Sequence, residues 1–269
     1  MSQLIGPLFT TVDRMIIGSY ASLTAVAYYS LPLDGLQRLL YLAVAFGNAL
    51  FPALSTHAAQ GGAGGAFSST VERSLVVVGS LFALICAVLI IFAREVLAAW
   101  VGADIAAQSS TVMVILTAGM VWNLAAQIPF TALHAAGRPE VPARLHIAEI
   151  VLFVAALTLV VPRFGIVGAA AVWTGRAVVD SWALLASAWR VAGRDRGGAG
   201  GGRVLRTWVA INLLVLAAVA VHALPGAWTR GAAGILLVAT AVAAFWRLVL
   251  SGDDRSAVVG AVTLRALRG

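Results

Sequence analysis

FTTVDRMIIGSYASLTAVAYYSLPLDGLQRLLYLAVAFGNALFPALS, Phe9 to Ser55, sets four charged side chains, Asp13, Arg14, Asp34 and Arg38, inside apolar runs long enough to enter a bilayer. A charge held in hydrocarbon costs on the order of 2.5–3.5 kcal/mol on insertion scales, so it normally faces a polar interior and acts there. The stretch therefore predicts a polytopic membrane protein with a wet interior, and from that a transport role.

The rest of the chain agrees. Of 269 residues 61% are hydrophobic and only 11% charged, with a mean hydropathy of +0.96, far from the roughly 25% charged of a soluble domain. The formal net charge of +7 would suggest nucleic acid in a soluble protein. In this composition it is read loop by loop, and no nucleic-acid partner is expected. Cys86 is the one cysteine and can form no internal disulfide. The first apolar segment carries Asp13-Arg14 where a signal peptide would be uncharged, so none is read there.

Eight spans are expected, each near the roughly 20 apolar residues that cross the hydrocarbon core. They run over about 4–20, 28–55, 75–92, 110–136, 143–161, 166–189, 204–224 and 231–250. Pro32 falls in the opening turn of the second, and an interfacial piece around Arg94 to Asp104 follows the third. Ala136 to Pro142 and Pro162 to Gly165 read as tight turns. Residues 194–203, RDRGGAGGGR, form a basic Gly-rich linker. The organisation is six plus two: a six-helix lobe (1–193), a cytoplasmic linker (194–203), a terminal hairpin (204–250) and a cytoplasmic tail (251–269). Placing the linker in the cytoplasm puts most Arg-bearing loops on the same side and leaves Arg94, Arg163 and Arg230 outside, with both termini cytoplasmic. Trp189, Trp208 and Trp246 then fall at the inner boundary and Trp100 and Trp228 at the outer one, as an aromatic belt, with Tyr28 and Tyr29 as interface anchors.

Spacing groups the deep charges. Arg38 follows Asp34 by four residues and Asp180 follows Arg176 by four, so each pair shares a helix face and can neutralise itself. Asp13 and Arg14 are adjacent, about 100° apart around a helix, so at least one needs a partner elsewhere. The guanidinium forks of Arg14, Arg38 and Arg176 suit a phosphate. Asn123 and Gln127, one turn apart before Pro129, suit sugar hydroxyls or bonds between helices. Glu149, with His146 near the start of its span, is a candidate for proton coupling. His134 and His146 flank one turn with no cysteine or second carboxylate at ligand spacing, so neither a metal nor a cofactor is expected.

Thr11–Gly18 (TVDRMIIG), Ala27–Pro32 (AYYSLP), Ala49–Ser55 (ALFPALS), Ala135–Pro139 (AAGRP), Glu149 and Phe164–Trp173 (FGIVGAAAVW) occur in that order. The ordered set, over about Phe9 to Trp189, resembles the second half of bacterial polysaccharide flippases of the multidrug/oligosaccharidyl-lipid/polysaccharide exporter superfamily. The resemblance implies two six-helix lobes around a cavity, longer members adding a terminal helix pair. This chain would be the second lobe plus that pair, which calls for a missing first lobe or a second copy, or marks a truncated gene model. It also implies a cargo of O-antigen type, a sugar chain on undecaprenyl pyrophosphate, moved across the bacterial cytoplasmic membrane for the cell envelope. Arg14, Arg38 and Arg176, with Asp13, Asp34, Asp180, Asn123 and Gln127, would line its path, and the charge pairs could equally hold helices together.

Rival functions differ in what they require. No GxSxG, HExxH or phosphate-binding loop occurs, so an enzyme is not expected. A multidrug or cation antiporter half would need deep acids without cationic partners. The third rival is a non-transporting half, either an inactive fragment or a scaffold of a glycan-assembly complex.

Overall fold

The computed structural model describes residues 2–59, 65–191, 199–249 and 252. Among them eight α-helices follow one another: α1 Ser2–Tyr20, α2 Leu23–Ala59, α3 Gly65–Ile91, α4 Ala93–Val101, α5 Ala103–Ala135, α6 Glu140–Val191, α7 Ala199–His222 and α8 Ala227–Ala244, which continues into a π-helical turn, Phe245–Val249. No strand occurs among the described residues. The protein is an all-α, polytopic helical bundle. Residues 194–198 of the Gly-rich linker and nearly all of the tail lie outside the described residues, while 199–203, expected as linker, open α7.

Local chemistry places the helix ends. The Ser22 hydroxyl accepts the Ala25 N–H at 3.1 Å, a cap that starts α2 at Leu23. Pro32 consequently lies inside α2 rather than in its opening turn, and Pro52 lies inside it as well. At the end of α5, Arg138 N–H donates to the Leu133 carbonyl at 2.9 Å and Gly137 N–H to that of His134 at 3.0 Å, while Gly137 adopts φ 72°. This is the paired closure that a glycine just past a helix end permits. Pro139 then prevents continuation, and an Arg138–Glu140 ion pair at 2.5 Å spans the corner.

The 52 residues of α6 would reach about 78 Å if straight, far beyond one membrane crossing. They fold back instead. Gly165 takes φ 54° and ψ −141°, which a residue with a Cβ resists. His146 Nε2 lies 3.3 Å from Asp180 Oδ1, and Arg176 Nη1 lies 3.5 Å from Glu149 Oε2. In a straight helix these residues would stand about 51 Å and about 40 Å apart. Both pairs are centred near Arg163, so a first arm (140–164) and a second arm (166–191) run antiparallel. They are the fifth and sixth expected spans.

α5 packs against both arms of α6, α2, α3 and α4, and so forms the centre of the bundle. Close approach is built in: a Cβ on Gly119 would sit 2.8 Å from the Thr174 Cα, and the Thr174 hydroxyl donates to the Ile115 carbonyl at 2.8 Å. The α7–α8 hairpin lies at the side of the bundle against α3. Trp208 of α7 is buried there, stacked on Trp122 at 4.1 Å. It is packing, not the boundary anchor that its sequence position suggests, because α7 turns that face toward α3 and α5. Trp228, at 93% exposed, remains free to sit in a headgroup layer.

Glu95, at the start of α4, pairs with Arg230 at the start of α8, so both turns share one end of the molecule. Four crossings between them, α5, the two arms of α6, and α7, return the chain to that end. A single crossing for α6 would not. Large apolar side chains such as Met15, Leu152, Leu159, Leu216 and Ile235 are exposed around the outside, as expected of a surface facing lipid. With six helices among the described residues long and apolar enough to cross a bilayer, one of them bent into two spans, this is a multi-pass membrane protein.

Candidate functional site

The site begins with two adjacent residues that diverge, one into the bundle and one toward its outside. Asp13 is fully buried: its Oδ2 accepts the Tyr29 hydroxyl at 2.9 Å and its Oδ1 the Arg14 N–H at 2.7 Å. Arg14, about 100° further round α1, turns outward, where Nη2 meets Asp34 Oδ1 at 2.5 Å in a half-exposed ion pair. Tyr29 is therefore no interface anchor. Its ring is wholly buried, since only one of two neighbouring tyrosines can face the bundle.

The interior of the bundle gathers a polar cluster from α1, α2 and both arms of α6. One turn from Asp13 on the same face, Phe9 lies under the Arg176 guanidinium at 4.5 Å, and Trp173 and Phe153 flank that guanidinium at 5.8 and 5.9 Å. Aromatic faces stabilise a desolvated cation. Arg176 also pairs with Glu149 and lies near enough to Asp13 to act on it through space. His146 faces Asp180 and packs against Phe9 and Phe130. His134 turns to its own helix, with Nδ1 2.9 Å from the Phe130 carbonyl.

Neither expected i,i+4 pair forms among the described residues. Asp34 takes Arg14 rather than Arg38, Arg176 takes Glu149, and Asp180 takes His146. Spacing along one helix states only what is within reach, and in each case a residue from another segment comes closer. Three buried carboxylates, Asp13, Glu149 and Asp180, thus share one guanidinium and one imidazole. Both carboxylate oxygens of Glu149 and Oδ1 of Asp180 are buried without a hydrogen-bond partner. Such an excess of buried acid calls for a proton or a cation.

His146, Glu149 and Asp180 offer ligand atoms within 4.8 Å of one another. This clustering is invisible in the sequence, because Asp180 arrives only through the bend at Gly165. Arg176 stands 3.5 Å from Glu149, which suits the set to a proton or a monovalent ion better than to a divalent metal. Asn123 and Gln127 are half-buried on α5, and neither side chain makes a hydrogen bond among the described residues.

Arg14 and Arg38 belong to a different surface. Arg14 borders a shallow open hollow of about 550 Å³ with Thr11, Ser19 and Leu23. Arg38 is exposed one turn beyond Asp34 on α2. The three guanidinium groups therefore do not converge within this chain: Arg14 lies on the outer α1–α2 face, Arg38 on the part of α2 that faces α4, and Arg176 inside.

No family model matches the chain. A protein of Shigella flexneri named "Putative O-antigen transporter" is 32% identical over 188 residues, 68% of this chain and 43% of the relative. The chain spans less than half the length of that relative, and its similarity is to a protein named as an O-antigen transporter.

Proposed function

We propose that this chain is one lobe, with a terminal helix pair, of a flippase that moves a lipid-linked oligosaccharide or O-antigen-type precursor across the bacterial cytoplasmic membrane. The observation that carries the reading is the split at Asp13-Arg14, one residue sealing a buried charge cluster and the next presenting a guanidinium on the α1–α2 face. The similarity to a transporter named for O-antigen supports the cargo class. Arg14 on that face and Arg38 beside it on α2 bind the pyrophosphate, against a first lobe or a second copy, while the polyprenyl tail stays in lipid. Asp34 holds Arg14 in place, and Asn123 and Gln127 meet sugar hydroxyls. Arg176, Asp13 and Asp180 act from within, fixing the wall that carries the binding face. Both termini are cytoplasmic in this reading, and the chain is not an enzyme.

Glu149 is the coupling residue, exchanging a proton or a monovalent cation as the lobe moves. The buried acid excess around it is also the one feature that favours the second reading, a cation-antiporting half of the same superfamily. Export separates them. In a bacterium whose lipid-linked glycan exporter is deleted, the chain joined to the remaining length of the Shigella relative restores surface glycan. Arg14→Ala/Arg38→Ala lowers that glycan at least tenfold with the protein still inserted. Undiminished surface glycan in the double variant would sink the phosphate assignment, and cation efflux without glycan export would replace the flippase with the antiporter.

A further inference from the structure

Helix α4 has nine residues, about 14 Å of helix, too short to cross a bilayer. Its buried Ala93 and Leu97 face the bundle, and its Trp100 lies across α2 at Gly35. A Cβ on Gly35 would stand 2.8 Å from the indole Cζ3, so only glycine leaves the ring this close to the helix backbone. Beside Trp100 a cleft of about 300 Å³ opens between α2, α4 and α5, the low end of the range for small-molecule sites. Pro32, Leu36, Leu89, Leu97 and Met113 make its wall almost wholly apolar.

Arg38 is the one charged residue in that lining among the described residues. It lies 15 residues after Leu23, about 22 Å along α2, well inside a membrane-length helix. Asp34, its i−4 neighbour, is already bound by Arg14, and Arg38 makes no ion pair among the described residues. A guanidinium at this depth draws an anion, and its fork matches phosphate oxygens. The rest of the lining offers nothing to a polar ligand but suits hydrocarbon.

We propose that the α2–α4–α5 cleft binds a phosphate-bearing amphiphile, with one hydrocarbon chain beneath Trp100 and the phosphate on Arg38. The chemistry is shared by an anionic phospholipid and by a polyprenyl phosphate. The site rests on the flippase reading only in giving Arg38 a phosphate. It adds a place for the chain, at α4, which lines no part of the α1–α2 face.

The test is photolabelling of the purified 269-residue chain in phosphatidylcholine nanodiscs. Three probes carry a diazirine in the chain: phosphatidylglycerol, polyprenyl phosphate and, as the neutral control, diacylglycerol. Adducts are mapped by mass spectrometry, with lipid-facing Val151 and Leu159 as the internal reference. Both phosphates are expected to label the Leu97–Met113 segment at least fivefold above that reference, and diacylglycerol is not. Arg38→Gln, a change at an exposed position, and Met113→Trp, which fills the cleft, should each remove that excess. Whichever phosphate displaces the other at lower concentration identifies the source. Labelling of the cleft at the reference level, equal labelling by diacylglycerol, or an excess that survives Arg38→Gln overturns the proposal. Labelling requires no transport, so a labelled cleft, when the joined protein fails to restore surface glycan, leaves this site standing and removes the flippase reading. An unlabelled cleft with intact export does the reverse.

Discussion

Asp13 and Arg14 open onto two regions built from similar residues in opposite ways. Inward, Asp13 of α1 joins Tyr29 of α2 and Glu149, Arg176, Asp180 and His146 from the two arms of α6, walled by Phe9, Phe153 and Trp173. Outward, Arg14 meets Asp34 alone, with both side chains at least a third exposed. In the inner region each charge depends on several partners, so removing one leaves others desolvated and unmatched. In the outer region, water or an incoming anion can replace either partner. The contrast separates residues that hold a wall from residues free to bind.

Exchanging the two residues would break the comparison outright. Asp13→Arg/Arg14→Asp buries a guanidinium at a position with no exposure and turns an acid toward Asp34. The expected result is loss of folded protein, read as abundance in the membrane fraction, and normal abundance would mean that the inward and outward faces are interchangeable. Arg176→Met comes next. It strips the cation from three buried carboxylates and should cost about 3–5 kcal/mol, seen as a lower denaturation midpoint in detergent. A second change, Glu149→Gln, should recover part of that loss, because it removes the acid that Arg176 neutralises.

Smaller effects sharpen the contrast. Tyr29→Phe deletes the one hydroxyl that Asp13 accepts and leaves a buried oxygen without a donor, at about 1–3 kcal/mol in the same assay. Asp34→Asn should change stability by less than about 1 kcal/mol, yet it frees Arg14. Binding of short-chain polyprenyl pyrophosphate, followed by calorimetry, should tighten or stay level in that variant and weaken in Arg14→Ala. A large stability loss for Asp34→Asn would place the outer pair in the same class as the inner one.

Much of the fold was legible in the residues. Hydrophobic runs of membrane length, the Ala136–Pro142 corner and the Pro162–Gly165 turn separate the spans that the helices occupy, and adjacency alone foretold that Asp13 and Arg14 would diverge. Partner choice was not legible. Asp34 lies within reach of Arg38 on its own helix, and nothing in the chain order says that α1 delivers Arg14 first. Which of Tyr28 and Tyr29 faces inward depends on the rotation of α2, and hydropathy leaves that undetermined when both neighbours are identical. The acidic surplus near His146 was hidden for the same reason, because Asp180 is 34 residues away in the sequence and arrives only through the fold.

The bend at Gly165 therefore fixes more than direction. It sets the register in which His146 faces Asp180 and Glu149 faces Arg176, and both contacts count outward from the same point. One residue inserted into either arm beside it would advance that arm by about 1.5 Å and turn it by about 100°, mismatching both contacts together. Natural insertions and deletions among kindred chains are accordingly expected in the stretches joining other helices, and not at this corner.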